Sequence, residues 1–333
     1  MILKHAILHI LDQDAHQLIL SQNEMNLDQV NLHDYLEKQI SKFNSSDYQT
    51  SQLNGDDYLA QVLDDNSSET FVEKTSQLAQ KLFSIISDIP EVPGSDLLIS
   101  EYSDEAHDYF ALFKLNFTPR FAHMVDYEDD ILSNKLIVNQ AILPNAGTVP
   151  DEGLIIDLMD GSVRLIEKHF QHNGQRMAYF AEKFAQLNLN PSVKNELQGL
   201  KQAVKHVADK FDMPLHETLA NTQEIIYENV SDQGVVSPEK IGDALFDQNF
   251  SAKEVYQEAL ESRSINHDIK IDNPLKYQKK YSTQKFVLDS GIQISIPIEA
   301  YQDKNQVELI NNPDGKITLM IKGIDDIKNK FNA

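Results

Sequence analysis

The chain has 333 residues, no cysteine and a formal net charge of −23 at pH 7. The lack of cysteine excludes disulfides, thiolate catalysis, iron–sulfur clusters and cysteine-ligated zinc. The sequence has no apolar run of roughly eighteen residues that would predict a membrane span, and its first residues lack the apolar core of a secretory signal. We therefore predict a soluble, cytoplasmic protein with no membrane association.

The negative charge is concentrated in the first half of the chain. Residues 1–168 hold 29 acidic and 10 basic side chains, residues 169–269 hold 15 and 9, and residues 270–333 hold 8 and 10. Carboxylates repel the phosphates of nucleic acid, whereas lysine and arginine bind them. Any contact with nucleic acid is therefore expected in the C-terminal segment, which alone is locally basic.

The first 161 residues predict an acidic α+β domain. Helical spacing of apolar side chains predicts helices from Leu32 to Phe43 and from Ser68 to Ile86. An antiparallel sheet with both helices on one face fits this order of elements. Alternating apolar runs predict the strands of that sheet over residues 3–11, 17–21, 97–102, 109–117, 136–143 and 154–158.

A helical region is predicted from residue 162 to 270, with no strand before residue 286. The predicted helices cover residues 163–170, 177–187, 192–211 and 216–230. Two linked helices follow, with Pro238 at the first position of one and Ser251 as the N-cap of the next. The pair has the order of a helix-turn-helix, but the second helix is acidic and unsuited to the major groove.

The last segment, residues 271–333, has the clearest strand pattern. Isoleucines at every second position from Ile292 to Ile298 predict a half-buried strand. Two further runs, at residues 307–310 and 317–321, flank a turn at Pro313-Asp314-Gly315. We predict a three-strand antiparallel meander with a lysine-rich lead-in, packed on an earlier part of the chain.

Three stretches together resemble a known family. They are the opening strand Ile7 to Leu11, the stretch from Gly174 to Phe184, and the C-terminal stretch from Gly291 to Gly323. In this order they resemble the bacterial nucleoid-associated protein family (NdpA-like) over essentially the whole length. The resemblance implies a non-enzymatic protein of the nucleoid that binds DNA without strong sequence specificity, or that binds the machinery on DNA.

One cluster combines basic and aromatic side chains. Its lysines could hold backbone phosphates while its tyrosines stack or pack. The alternative is a solvated, lysine-rich linker, and the family resemblance favours the DNA-binding interpretation. If that is correct, alanine at the first three lysines weakens binding and flattens its salt dependence. The cluster consists of Lys276, Tyr277, Lys279, Lys280, Tyr281 and Lys285.

Arg176 is a further candidate contact to DNA. In the stretch Gly174-Gln175-Arg176, the glycine permits a tight entry into a helix that holds Tyr179, Phe180 and Phe184. The guanidinium could then hold a phosphate bidentately. Alternatively, Arg176 pairs with a carboxylate of the acidic N-terminal half.

No motif predicts an enzyme, a cofactor or a metal. The sequence has no Gly-x-Ser-x-Gly, no Walker A motif and no Gly-x-Gly-x-x-Gly. A metal-dependent hydrolase that used Asp126 to Asp130, or His169 with His172, is a third hypothesis. The acidic run lacks calcium-loop spacing, and the histidine pair lacks further ligands at zinc-site spacing.

A second hypothesis makes the protein an acidic adaptor. Its N-terminal half would then offer carboxylates to a basic DNA-handling protein such as a topoisomerase. A pull-down from nuclease-treated extract distinguishes this hypothesis from direct DNA binding, because only an adaptor keeps its partner once DNA is gone. A homodimer is compatible with both the adaptor hypothesis and direct DNA binding.

Overall fold

A computed structural model describes residues 1–64, 66–128, 131–313, 315–326 and 328. The chain divides into two compact units, Met1–Ser192 (unit 1) and Val193–Ala333 (unit 2). The division at residues 161 and 270 stays a prediction. In the described residues, no helix has both the length and the apolar character needed to cross a membrane.

Unit 1 is built around β-strands. Its elements are β1 (Ile2–Asp12), β2 (Gln17–Ile19), α1 (Val30–Asn44), β3 (Gln49–Gln52), α2 (Tyr58–Val62), α3 (Phe71–Ile86), β4 (Ser95–Asp104), β5 (His107–Asn116), β6 (Arg120–Glu128), β7 (Ile131–Asn139), β8 (Glu152–Asp157), β9 (Ser162–Ile166), β10 (Phe170–His172), β11 (Gln175–Met177) and a π-helix (Phe180–Ala185).

An antiparallel sheet of seven strands forms the centre of unit 1, in the order β2-β1-β4-β5-β8-β9-β3. Leu36 and Phe43 of α1 pack on one face. Leu82 of α3 and Phe184 of the π-helix pack on the other face. The predicted α+β class is confirmed.

The prediction that both helices lie on one face of the sheet is wrong. Side chains alternate between the faces of a strand, and the central strands are apolar on both. In β5, Leu112 belongs to the core under α3, whereas Phe113 belongs to the core under α1. Each face therefore needs its own helical cover.

The predicted helix over residues 163–170 is also wrong. This stretch forms β9, which pairs with β8, and Val163 and Leu165 are its buried side chains. Their spacing of two residues is the period of a strand. The predicted helix over residues 177–187 is reduced to the short π-helix.

Unit 2 is mainly helical. Its elements are α4 (Val193–Lys210), α5 (Leu215–Gln233), β12 (Val235–Val236), α6 (Pro238–Phe246), α7 (Phe250–Glu261), β13 (Ile269–Lys270), α8 (Pro274–Tyr281), β14 (Thr283–Val287), β15 (Gln293–Pro297), α9 (Ile298–Gln302), β16 (Val307–Asn311) and β17 (Ile317–Ile321).

The predicted helix pair of unit 2 is present as α6 and α7. Pro238 lies in the first turn of α6, as predicted. The N-cap of α7 is Asn249 rather than Ser251, because the Asn249 side chain accepts a hydrogen bond from the Ala252 N–H at 3.1 Å. A Cβ on Gly242 would lie 2.7 Å from the Tyr256 ring, so the two helices pack too closely for a larger residue there.

The C-terminal strands form two hairpins rather than one three-strand meander. In the described residues, β14 pairs with β15 and β16 pairs with β17, as separate two-stranded sheets. The helix α9 starts directly after Pro297 and interrupts the strand run, because proline cannot donate to a ladder. Asp314 of the predicted turn lies outside the described residues.

Two titratable groups are buried on opposite faces of the neighbouring strands β1 and β4, where His9 pairs with Leu97 and Asp96 pairs with Ile10. Burial lowers the pKa of the His9 imidazole to about 4. Burial also raises the pKa of the Asp96 carboxyl from its ordinary 3.8 to about 6. Oδ1 of Asp96 has no hydrogen-bond partner in the described structure. The folded state therefore favours the neutral form of each group.

We expect Asp96→Asn to stabilise the protein above pH 6. A carboxyl whose pKa is raised on folding destabilises the native state increasingly as the pH rises from the unfolded to the folded value, fully above the folded value and not below the unfolded one. The asparagine should therefore gain about 2–3 kcal/mol at pH 8 relative to pH 4. Urea unfolding of both proteins at the two pH values measures this difference. An equal effect of the substitution at pH 4 and pH 8 would contradict it.

Candidate functional site

The helix α8 carries three lysines of the predicted basic cluster. It begins after Asn273, whose side chain accepts a hydrogen bond from the Lys276 N–H at 3.1 Å, and Pro274 opens its first turn. Lys279 and Lys280 lie in the last turn. Cations are stabilised there by the partial negative charge of the helix C-terminus.

The tyrosines of the cluster pack against its lysines. The rings of Tyr277 and Tyr281 stack with centroids 6.4 Å apart. Nζ of Lys280 lies 5.4 Å from the Tyr277 centroid and 5.2 Å from that of Tyr281, within range of cation–π attraction. Because Tyr277 is buried, it supports the lysine rather than presenting a face for base stacking.

Lys280 and Lys285 face a groove of about 520 Å³ between α4, α5 and β14, which we call the lysine groove. Two lysines of α4, Lys194 and Lys201, line the same groove. No aspartate or glutamate is among the described residues that line it. In a chain with 52 acidic side chains, this is a local region of positive charge.

The lysines of α4 were missed by the sequence analysis. Lys194, Gln198, Lys201 and Lys205 recur at steps of four, three and four residues, which places them on one face of the helix. That spacing is the signal that could have found them. It does not show that a strand some eighty residues later lies beside them.

Two glutamine side chains attach β14 and the end of α8 to α5. The amide of Gln223 donates to the carbonyls of Tyr281 at 3.0 Å and Thr283 at 2.9 Å. The amide of Gln284 donates to the Ala220 carbonyl at 2.8 Å, in a buried position. These bonds hold the segment that carries Lys280 and Lys285 beside the helical wall.

His216 adds a polar atom to the lysine groove. Its Nε2 is buried and has no hydrogen-bond partner in the part of the chain that the structure describes. A buried polar atom without a partner costs free energy of about 1–3 kcal/mol. A bound ligand or a water molecule in the groove would remove that cost.

A second cavity of unit 2 has the opposite charge. It has a volume of about 400 Å³ and lies between α6, α7 and the segment after α7. Glu239, Glu261 and Asp268 line it, and its lysine, Lys253, forms an ion pair with Asp243 at 2.5 Å. Its carboxylates would repel a phosphate. The lysine groove therefore suits an anionic ligand, whereas this second cavity does not.

The remaining predicted contacts lie outside the lysine groove. Lys276 and Lys279 are exposed on α8 but are not among the residues that line it. Arg176 is exposed on β11 of unit 1. Gly174, at a φ of +77°, and Asn173 form the turn of the β10–β11 hairpin, so this stretch is not the helix entry that we predicted.

Arg176 has a histidine in its neighbourhood. Burial, and then the positive charge of Arg176, lower the pKa of His169. The guanidinium of Arg176 therefore lies near the His169 ring, and both effects favour the neutral form of that ring. Whether Arg176 contacts a phosphate stays a prediction.

The side chains of the metal hypothesis have other partners. Nδ1 of His172 lies 3.0 Å from a carboxylate oxygen of Glu91. Because His169 immediately precedes the strand β10, the two histidines do not share a helix face. Asp126 forms an ion pair with Lys135 at 2.8 Å, whereas Asp129 and Asp130 lie outside the described residues.

The fold and the groove thus define an acidic α+β protein with a lysine-lined surface suited to a polyanion. Comparison with protein families gives a match to the model described as nucleoid-associated protein YejK, over residues 7–329. The chain belongs to this family, which confirms the resemblance to nucleoid-associated proteins. Individual curated proteins give no match.

We expect Gln223→Ala to loosen β14 from α5. The substitution leaves two carbonyls without their side-chain donor, at a cost of about 1–2 kcal/mol. Hydrogen exchange should become faster in residues 283–287 and stay unchanged in the sheet of unit 1. Gln198→Ala is the matched control, because Gln198 lines the groove from an exposed helical position. Equal exchange in both variants would show that Gln223 does not hold the strand.

Proposed function

We propose that this protein binds DNA directly through the lysine groove, without strong sequence specificity. The observation that carries the proposal is the groove itself, which is lined by four lysines and no carboxylate among the described residues. Membership of the nucleoid-associated family supports association with nucleic acid. The groove supplies a place on this chain where a phosphate backbone would be attracted rather than repelled.

Lysine ammonium groups suit the backbone better than the bases. An ammonium is a point charge on a flexible stem, and it binds phosphate without reading sequence. Base readout in the major groove uses an exposed helix or ribbon with bidentate side chains. The exposed face of α7 instead carries Glu254, Glu258 and Glu261. The contact we propose is therefore sequence-tolerant.

The acidic remainder of the chain is compatible with this contact. Unit 1 holds 30 acidic and 12 basic side chains, and unit 2 holds 22 and 17. At physiological ionic strength, exposed charges more than about 8 Å apart are largely screened from each other. The lysines that touch a phosphate therefore outweigh more distant carboxylates, whose repulsion grows at low salt.

The proposed role requires no catalysis or cofactor. It places the protein in the cytoplasm, at the nucleoid, where the DNA is its partner. Counterion release supplies most of the free energy of such sequence-independent binding. The affinity is therefore expected to depend steeply on salt concentration.

The acidic surface of unit 1 favours a second candidate function. With 30 carboxylates against 12 basic groups, unit 1 is complementary to a basic partner, which we propose to be a DNA-handling protein such as a topoisomerase. The adaptor and the direct binder differ in one observable property. An adaptor keeps its partner in nuclease-treated extract and does not bind purified DNA.

We expect neutralisation of the lysine groove to abolish much of the binding to a random-sequence duplex. The test variant is Lys194→Gln/Lys201→Gln/Lys280→Gln/Lys285→Gln. Each phosphate contact contributes about 0.9 to the slope of log affinity against log salt, so the slope should decrease by about 3–4. Fluorescence anisotropy over a series of salt concentrations measures both affinity and slope.

The matched control carries the same change of net charge elsewhere in unit 2. It is Lys210→Gln/Lys240→Gln/Lys270→Gln/Lys304→Gln, at four exposed lysines that do not line the groove. We expect its slope to differ from that of the unmodified protein by less than about 1. If both quadruple variants lose the same affinity, the groove is not the contact. If the unmodified protein does not bind even at low salt, the adaptor function replaces direct binding.

A further inference from the structure

The lysine groove is lined by apolar side chains as well as by lysines. Lys194, Lys201 and Lys285 are exposed. Two of the apolar side chains, Leu197 and Ile226, are buried. The charge of the groove therefore lies toward solvent, and part of its apolar surface lies deeper. A phosphate backbone alone would use the lysines and leave the apolar part empty. Six large apolar side chains line the groove: Leu197, Leu219, Ile226, Tyr281, Phe286 and Val287.

Phe286 supplies an aromatic ring to the groove. Gln284 and Phe286 are two residues apart on β14, so their side chains point to the same side of the strand. The Gln284 amide donates to the Ala220 carbonyl of α5 at 2.8 Å, and Phe286 therefore also faces α5. The centroid of its ring lies 5.9 Å from that of Tyr301, which supports it. Because the ring is only half-buried, part of it stays accessible to a ligand.

His216 gives the groove a polar atom that a ligand could satisfy. Its Nε2 is buried and makes no hydrogen bond within the described part of the chain. In a neutral imidazole each ring nitrogen is either a donor or an acceptor. Unpaired nucleobases present both donors and acceptors on their edges. A base in the groove would therefore satisfy this nitrogen in either tautomer.

The size of the groove suits one nucleotide rather than a duplex. Sites for small molecules and cofactors have volumes of about 300–1,000 Å³, and the lysine groove has about 520 Å³. A duplex stacks its bases inside the helix and presents only their edges and the backbone. An unpaired nucleotide also presents the flat face of its base, which stacks on aromatic side chains whatever the sequence.

We propose that the lysine groove binds an unpaired nucleotide of a DNA strand, with the base against Phe286 and the adjacent phosphates at the exposed lysines. This inference rests on the proposed binding of DNA at the groove, and it names the form of DNA that fills the groove. Single strands and gapped duplexes are then the preferred ligands, whereas an intact duplex uses the lysines alone. Stacking accepts any base, so the preference adds no sequence specificity.

Fluorescence anisotropy with three labelled DNA probes of equal length tests the proposal on the full chain. The first probe is an intact random-sequence duplex. The second has two unpaired thymidines opposite a gap, and the third has two abasic nucleotides in their place. The abasic probe is the matched control, because it has the same charge and the same gap but no bases to stack. We expect the thymidine probe to bind at least about tenfold more tightly than either of the others.

Phe286→Leu removes the aromatic ring and keeps an apolar side chain. We expect it to bind the thymidine probe about tenfold more weakly than the unmodified protein does, with unchanged affinity for the abasic probe. Phe250→Leu is the control variant, because Phe250 is an exposed phenylalanine of the same unit that does not line the groove. An equal loss with both probes would show that Phe286 only supports the fold, and would overturn the proposal.

The two proposals for the groove fail in different ways. Equal affinity of the unmodified protein for the thymidine and abasic probes would overturn the preference for unpaired nucleotides and leave duplex binding intact. Equal affinity of the unmodified protein and the variant Lys194→Gln/Lys201→Gln/Lys280→Gln/Lys285→Gln for all three probes would refute DNA contact at the groove, and both proposals with it.

A photoreactive base gives a measurement on the unmodified protein, which does not depend on the folding of a variant. 5-Iodouracil replaces one unpaired thymine, and mass spectrometry identifies the peptide that irradiation joins to it. We expect the cross-link within residues 216–226 or 281–287, which line the groove. Cross-links only elsewhere would overturn the proposal. Thymidine monophosphate that displaces the thymidine probe at equal concentration would also overturn it, because the groove would then be a site for a free nucleotide.

Discussion

The docking of β14 against α5 is the constraint on which the lysine groove depends. Gln223 and Gln284 make this contact with three side-chain hydrogen bonds to main-chain carbonyls. These bonds bring Lys285 beside Lys201, although 84 positions separate them in sequence. Each bond is individually modest, at about 1 kcal/mol net, but an unpaired buried carbonyl would cost more. The geometry of the groove is therefore set by polar contacts as well as by apolar packing.

The distribution of charge around the groove determines whether the docking of β14 on α5 can create a site for a polyanion. A protein with a net charge of −23 can bind a polyanion only through a surface from which carboxylates are excluded. Glu224 and Glu228 of α5 contact Gln302. The α5 residues that line the groove carry no carboxylate: His216, Leu219, Ala220, Thr222, Gln223 and Ile226. The helix therefore separates its acidic face from its neutral one. No aspartate or glutamate of α5 is among the described residues that line the groove with the four lysines.

The sequence predicted the elements with strong periodicity and missed those set by tertiary pairing. The helices α1, α3, α4 and α5 follow from apolar side chains at three- and four-residue steps. The strand β9 was mistaken for a helix because Val163, Ile166 and Phe170 recur at steps of three and four residues, whereas its buried side chains Val163 and Leu165 are two residues apart. Its identity is decided by β8, which lies beside it in the sheet. The predicted three-strand meander was wrong for the same reason, because the pattern of one strand does not specify which strand it pairs with.

Two of the four lysines that line the groove, Lys280 and Lys285, were among the candidates from the sequence. Lys280 and Lys285 belong to a local cluster in the sequence, and the family resemblance favoured their assignment as DNA contacts. Lys194 and Lys201 come from a helix whose basic stripe looks like an ordinary solvated face. Only the fold shows that the stripe and the cluster line one groove. Sequence reasoning also joined Arg176 to the lysines, whereas the structure places it on a hairpin of the other unit.

Photo-cross-linking from inside the groove tests whether DNA binds there. A single cysteine at Gln198, in the otherwise cysteine-free chain, would carry a photoreactive label between Lys194 and Lys201. A cysteine at Gln257, in the acidic cavity of unit 2, is the control. We expect irradiation to join a random-sequence duplex to the label at 198 and not to the label at 257. Cross-linking at 257 but not at 198, or at neither position under conditions where the duplex is bound, would contradict it.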